Sequence, residues 1–207
     1  WHGDVSALWH ALDPEDTGCS SLEEFSASEA RCLAIFRRWA VDFHGGVKAG
    51  FRALLAGDRQ RRKHRGKLDR ASWLAACESE RVTFDAHWVF KLLDWEEHGS
   101  ISFKEVKFVE DWTPAEWLSS DPNPEAAQDF KRLLLEKCDH YVKAWRLMID
   151  VDSSGKVTFK EFKRAAETLK FQGDVAGAFL DFDVHGQGEL TLNEIDHAAA
   201  MTPPNSA

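Results

Sequence analysis

The sequence lacks the features that mark membrane-spanning and secreted proteins. It contains no apolar run that approaches the ~18 residues of a membrane helix, and no secretory apolar segment near its start. Its four cysteines are scattered without a C-x-x-C pair, so neither a disulfide framework nor a zinc site is indicated. We therefore expect free thiols in a reducing compartment. This predicts a cytoplasmic location, with the cytoskeleton or another large assembly as a further option.

Motifs for catalysis and an excess of basic charge are also missing. There is no G-x-S-x-G turn, no phosphate-binding glycine loop, no H-E-x-x-H pattern and no cysteine–histidine nucleophile motif, so we predict no enzymatic activity. The 26 Lys and Arg residues face 35 Asp and Glu residues, which gives a formal net charge of -9. Nucleic acid and anionic membranes repel such a surface, so neither is an expected partner, and membrane insertion is not expected. Cations suit it better.

Acidic and hydroxyl side chains alternate in the segment DVDSSGKVTFKE, residues 150–161. Calcium takes six to eight oxygen ligands, and side chains at positions 1, 3, 5, 9 and 12 of such a loop point toward one ion. Gly155, at position 6, permits a sharp turn with positive φ. The residue at position 7 contributes its backbone carbonyl, so a lysine there is no obstacle. The predicted metal ligands are Asp150, Asp152, Ser154, Lys156, Thr158 and Glu161.

Apolar residues on both sides of this loop recur at helical spacing. They are Tyr141, Trp145 and Met148 before the loop, and Phe162, Ala166 and Leu169 after it. The pattern of helix, twelve-residue loop and helix resembles the EF-hand calcium-binding family. The resemblance implies an all-α fold of tandem helix–loop–helix pairs, with short two-stranded β bridges, helical connectors and Ca²⁺ as the cofactor. An acidic turn between two helices is the alternative interpretation.

Four further segments fit the same frame less completely. DPEDTGCSSLEE keeps its oxygens and offers Asp13, Glu15, Thr17, Cys19, Ser21 and Glu24. DWEEHGSISFKE offers Asp94, Glu96, Ser100, Ser102 and Glu105, but His98 places a nitrogen where calcium prefers oxygen. DVHGQGELTLNE has lost both inner acidic positions and offers Asp183, Glu189, Thr191 and Glu194. RRKHRGKLDRAS has basic residues at the ligand positions, which excludes a divalent cation. A helix–loop–helix kept for packing is the alternative for the three intermediate loops.

The loop glycines indicate a repeat and a domain plan. Gly66 and Gly99 are 33 residues apart, as are Gly155 and Gly188, and this spacing suits two loops that face each other across a β bridge. In the first pair we predict that Leu68 pairs with Ile101, since both occupy position 8. The connectors predict helices that begin at Thr113-Pro114 and at Asn123-Pro124. The predicted domains are a single EF-hand with a connector helix (1–45), a pair whose first hand is degenerate (46–112), and a pair with the intact loop (113–207).

The odd number of hands bears on completeness and on partners. EF-hands pair because a lone hand leaves an apolar face and a strand edge uncovered. Together with a start at Trp1, this predicts a fragment of a longer tandem array, in which a preceding hand completes the first pair. The alternative is pairing with a second copy of the chain. The expected partners are therefore another protein or further repeats of the same chain.

Two classes of function follow from this interpretation. The intact loop favours a calcium-binding regulatory or adaptor module without catalytic activity. The degraded loops favour a structural subunit of a large assembly, in which silent EF-hands act as packing units. A third alternative is the calcium module of a larger enzyme or channel.

Overall fold

The computed structural model describes residues 2–13, 18–57 and 66–196. Within these ranges the chain forms twelve α-helices and two small antiparallel sheets of two strands each. The prediction of an all-α fold with short β bridges is therefore confirmed. None of the described helices combines the length and apolar character needed to cross a membrane.

The elements follow one another with short connections. The first part contains α1 (Val5–Leu12), α2 (Leu22–Phe25), α3 (Ala27–His44), α4 (Val47–Gly57), β1 (Leu68–Asp69), α5 (Arg70–Glu80), α6 (Ala86–Leu93), β2 (Ser100–Ile101), α7 (Phe103–Asp111) and a 3₁₀ turn (Glu116–Ser119). The second part contains α8 (Pro124–Lys137), α9 (Tyr141–Ala144), a π-helical turn (Trp145–Ile149), β3 (Val157–Thr158), α10 (Phe159–Thr168), α11 (Val175–Phe182), β4 (Glu189–Leu190) and α12 (Leu192–Ile195).

The chain divides into two compact units. One spans residues 29–119, and the other combines residues 1–28 with residues 120–207. Each unit contains one of the two β bridges. The two units are defined by how compactly the chain packs, whereas the three predicted domains are defined by the sequence repeat. The three-part division therefore stays a prediction.

Both β bridges have the same register relative to their loops. In the unit 29–119, Leu68 lies opposite Ile101, and in the other unit Val157 lies opposite Leu190. All four side chains are fully buried. Each is the second residue after a loop glycine, and apolar or β-branched residues suit a buried strand. The predicted pairing of Leu68 with Ile101 is confirmed.

Aromatic side chains hold the helices around each bridge. In the unit 29–119, the ring of Phe36 lies 5.1 Å from Phe84 and 5.9 Å from Trp73, centroid to centroid. In the other unit, Phe162 lies 4.4 Å from Phe130 and 5.5 Å from Phe179. A fully buried phenylalanine stabilises a fold by roughly 1.5–3 kcal/mol. These clusters fix the helices that precede and follow the loops.

The connectors agree with the sequence in one place and differ in another. Helix α8 begins as predicted, with the side chain of Asn123 accepting the N–H of Ala126 and with Pro124 in the first turn. The helix predicted from the Thr113 cap is wrong, because the chain there forms a single 3₁₀ turn. Pro122 limits any extension of that turn, because a proline disfavours helical conformation in the residue before it, here Asp121.

Candidate metal centre

The five loop glycines share a left-handed backbone conformation. Their φ angles are +82° at Gly18, +80° at Gly66, +72° at Gly99, +84° at Gly155 and +75° at Gly188. A Cβ added at Gly155 would meet no atom within 4 Å, so space does not select glycine there. Backbone strain does, because a side chain in this conformation costs roughly 1–2 kcal/mol. The positive φ predicted for Gly155 is confirmed.

In four of the five loops, the aspartate at position 1 accepts a hydrogen bond from the backbone amide of the loop glycine. The amide donates to Asp13 Oδ2 at 2.7 Å, to Asp94 Oδ2 at 2.8 Å, to Asp183 Oδ2 at 2.8 Å, and to both carboxylate oxygens of Asp150 at 3.3 Å. The contacts of Asp150 are the longest of the set. A carboxylate at position 1 therefore shapes these four loops by hydrogen bonding alone.

The last glutamate of each of these four loops caps the helix that follows. Glu161 Oε2 accepts the backbone N–H of Thr158 at 2.9 Å and its hydroxyl at 3.0 Å. The threonine hydroxyl in turn accepts the N–H of Glu161, which completes a capping box. Equivalent boxes join Ser21 with Glu24, Ser102 with Glu105, and Thr191 with Glu194. A predicted closing ligand is thus also a helix cap.

Loop 150–161 brings four of its predicted ligands together. The Ser154 hydroxyl lies 3.4 Å from Asp150 Oδ1 and donates to the Lys156 carbonyl at 2.7 Å. The Ser154 amide donates to Asp152 Oδ1 at 3.0 Å, and this hydrogen bond is the main cause that lowers the pKa of Asp152. The atoms that these four residues would offer to a metal are all oxygens. The structure does not bring Glu161 to the same cluster, because its carboxylate stays with Thr158.

Sequence reasoning missed the partner of Asp150. The carboxylate is 2% exposed, and its Oδ2 accepts the indole N–H of Trp145 at 2.9 Å. A π-helical turn produces this contact, because the Asp150 amide donates to the Trp145 carbonyl five residues earlier. The corresponding aspartates Asp94 and Asp183 donate to a carbonyl four residues earlier, as in an α-helix. Apolar periodicity predicted a helix here, and it does not distinguish the two kinds of turn.

Loop 94–105 contains a cluster of mixed donors. The carboxylates of Glu96 and Glu105 and the imidazole of His98 offer ligand atoms within 4.8 Å of one another. Among the residues that the structure describes, these three side chains are the group whose acidic, imidazole or thiol ligand atoms lie this close together. The carboxylates of loop 150–161 do not form such a group. Asp94 is engaged by the amides of His98 at 2.9 Å and Gly99 at 2.8 Å.

The remaining loops are engaged by protein contacts or are incompletely described. Asp183 accepts the amides of Gln187 at 2.9 Å and Gly188 at 2.8 Å. The side chain of Glu189 pairs with Lys156 of the facing loop. The predicted ligands Glu15 and Thr17, and the basic residues at 61–65, lie outside the described residues.

Two of the four cysteines have perturbed thiols. None of the four forms a disulfide. Burial raises the pKa of Cys77 to about 12, and burial together with the charges of Asp85 and Glu29 raises the pKa of Cys32 to about 12. With no metal bound, these two thiols are therefore protonated near neutral pH.

No family model matches the chain, and a search of curated proteins finds no match. The functional assignment therefore depends on the chemistry and geometry of the loops.

Proposed function

We propose that this protein binds calcium through an EF-hand loop at residues 150–161 and acts as a regulatory or adaptor module without catalytic activity. One observation supports the proposal above the others. Asp150, Asp152, Ser154 and the Lys156 carbonyl adjoin one another around the left-handed turn at Gly155. Hard oxygen donors of this kind are the ligands that calcium prefers.

The donor set fits calcium in number as well as in type. With Thr158 and Glu161, the loop offers six ligand residues, three of which are carboxylates. A loop with this charge belongs to the sensor range of dissociation constants, on the order of 10⁻⁷ to 10⁻⁵ M. The ion, when bound, would supply the positive charge that offsets three neighbouring carboxylates.

Glu161 links the proposed site to the helix that follows. Its Oε2 is held by Thr158, so bidentate binding of an ion by Glu161 would weaken these two contacts. Glu161 lies in the first turn of α10, and the next residue, Phe162, packs against Phe130 of α8. Movement of Glu161 can therefore change the packing of α10, which is the basis we propose for regulation.

Loop 13–24 is a proposed second calcium site, through Asp13, Glu24 and the other predicted ligands of that segment. Loop 183–194 is proposed to remain empty at micromolar calcium, since His185 and Gln187 supply no negative charge at the inner positions. We place the protein in the cytoplasm or in a large assembly, with a protein or further repeats of its own chain as the partner.

A structural role is the second candidate. It is favoured by loop 94–105 and loop 183–194, where His98, His185 and Gln187 stand at inner ligand positions and supply no carboxylate. The two candidates differ in what calcium does. A regulatory module changes its exposed apolar surface when calcium binds, which dye fluorescence detects, whereas a packing unit binds the dye equally with and without calcium.

Calorimetric titration with calcium tests the proposed site, with Glu161→Gln as the variant and Glu194→Gln as its control. Both glutamates make the same capping contacts, so both changes disturb a helix cap to a similar degree. We expect Glu161→Gln to lose the tightest site and Glu194→Gln to retain it. Unchanged binding in Glu161→Gln, or equal losses in both variants, would contradict the assignment.

A further inference from the structure

The mixed cluster in loop 94–105 differs chemically from the proposed calcium site. We propose that Glu96, His98 and Glu105 form a binding site for a borderline transition-metal dication, with Zn²⁺ as the representative ion, and that this loop selects such an ion over calcium. Imidazole nitrogen and carboxylate oxygen together suit zinc and its neighbours, whereas calcium takes oxygen ligands. The inference does not depend on calcium binding at loop 150–161.

The geometry requires a small adjustment of side chains. His98 Nδ1 already lies 3.2 Å from Glu96 Oε2, and all three residues offer atoms within 4.8 Å of one another. Two ligands bound tetrahedrally to one zinc ion at about 2.1 Å are roughly 3.4 Å apart. The pair of Glu96 and His98 meets that separation, and the three ligand atoms need to approach one another by at most roughly 1.4 Å to complete three protein ligands. A water would take the fourth position.

Glu105 is the anchor of the cluster. It is 4% exposed, whereas the closing glutamates Glu24, Glu161 and Glu194 are half-buried. Its Oε2 accepts the amide and the hydroxyl of Ser102, each at 2.7 Å. Its Oε1 accepts no hydrogen bond from the described part of the chain. One oxygen of this carboxylate is held by Ser102, and the other is left for a cation or for water.

A cation already approaches the cluster. The ammonium of Lys104 lies 2.8 Å from Glu96 Oε1. A carboxylate in this position already has a cation as its neighbour. The lysine is also a competitor, because a metal on Glu96 places two positive charges close together. Removing that charge should strengthen metal binding.

Titration of the calcium-free protein with ZnCl₂, against a colorimetric chelator, tests the site. We expect His98→Ala to weaken zinc binding by more than about tenfold, which corresponds to about 1.4 kcal/mol. His87→Ala is the control, since His87 is an exposed histidine in the same unit and lies outside the cluster. We expect Lys104→Met to tighten zinc binding. Co²⁺ added in place of zinc should give a spectrum without a thiolate-to-cobalt band, which separates this site from Cys19.

Several results would overturn the proposal. Equal zinc affinity in His98→Ala and wild type is one, and a thiolate band that disappears in Cys19→Ser is another. Calcium displacing zinc from the loop at equal concentration would remove the claimed selectivity. Calcium titration of His98→Ala keeps the two proposals distinguishable, because loop 150–161 should bind calcium unchanged in that variant. Circular dichroism, which does not depend on calcium binding, shows whether the variant is folded.

Discussion

Loops 150–161 and 183–194 face each other across one β bridge and differ mainly in what their side chains can bind. The entering turn is π-helical before Asp150 and α-helical before Asp183, and beyond it their backbones are alike, with φ of +63° at both Ser153 and Gly186 and left-handed glycines two residues later. At the inner ligand positions, however, Asp152 and Ser154 oppose His185 and Gln187. Both loops share a left-handed glycine, an aspartate–amide contact and a capping box. These contacts use positions 1, 6, 9 and 12, so the residues at positions 3 and 5 can differ while the turn is kept.

The largest expected effect comes from converting one loop into the other. The double variant His185→Asp with Gln187→Ser gives loop 183–194 the inner donors of loop 150–161. Because the backbones already agree, we expect one additional calcium site in calorimetric titration, with an affinity at least about 100-fold above that of the parent loop.

Gln187→Ser alone is the control, since it adds a hydroxyl without adding negative charge. It should leave the stoichiometry of calcium binding unchanged. A folded double variant that binds no additional calcium would show that backbone agreement is insufficient, and that the conformation of Asp183 also decides binding.

The second prediction concerns the contact that distinguishes Asp150 from its counterpart. Trp145→Phe removes the indole N–H that donates to the buried carboxylate. A hydrogen bond to a charged group contributes about 1.5–3 kcal/mol, so we expect a loss of about that size in the free energy of unfolding without calcium. Chemical denaturation measures it. In a double-mutant cycle with Asp150→Asn the two losses should be less than additive, and full additivity would show that the tryptophan stabilises the unit through packing alone.

The third prediction tests the shared backbone. Gly155→Ala and Gly188→Ala each place a side chain in the left-handed region, so each should lower the free energy of unfolding by about 1–2 kcal/mol without calcium. Urea unfolding of both variants measures the two costs. Calcium binding should weaken in the Gly155→Ala variant and stay unchanged in the Gly188→Ala variant. If the free energies of unfolding of the two variants differ by more than about 2 kcal/mol, the two turns are not equivalent.

Features set by local pattern were predictable, and features set by side-chain conformation were not. Leu68 and Ile101 pair as predicted because both are apolar residues at a fixed offset from a glycine that fixes the turn. The Trp145 hydrogen bond was missed because it depends on a π-helical turn, and apolar spacing fits that turn and an α-helix equally well. His98 was recognised as an objection to calcium. Its proximity to Glu96 and Glu105 depends on three side-chain conformations that a sequence does not specify.

The smallest expected effect lies in the charges that join the two loops. Lys156 and Glu189 both occupy position 7, where a calcium loop would use the backbone carbonyl, and their side chains form an ion pair across the bridge. The side chains are 62% and 36% exposed, and exposed pairs contribute roughly 0.2–1 kcal/mol. A double-mutant cycle of Lys156→Met and Glu189→Gln should therefore give a coupling energy within that range, and it should decrease as salt is added.

The same variant separates charge from ligation. Lys156→Met leaves the carbonyl in place and removes a positive charge beside loop 150–161, so calcium should bind slightly more tightly, by less than about threefold at low ionic strength. Lys163→Met, an exposed lysine beyond the loop on α10, is the control and should change calcium affinity less. A large loss of calcium affinity in Lys156→Met would mean that the side chain fixes the carbonyl direction. Position 7 would then depend on the partner loop, and the two loops would be coupled through this pair as well as through their strands.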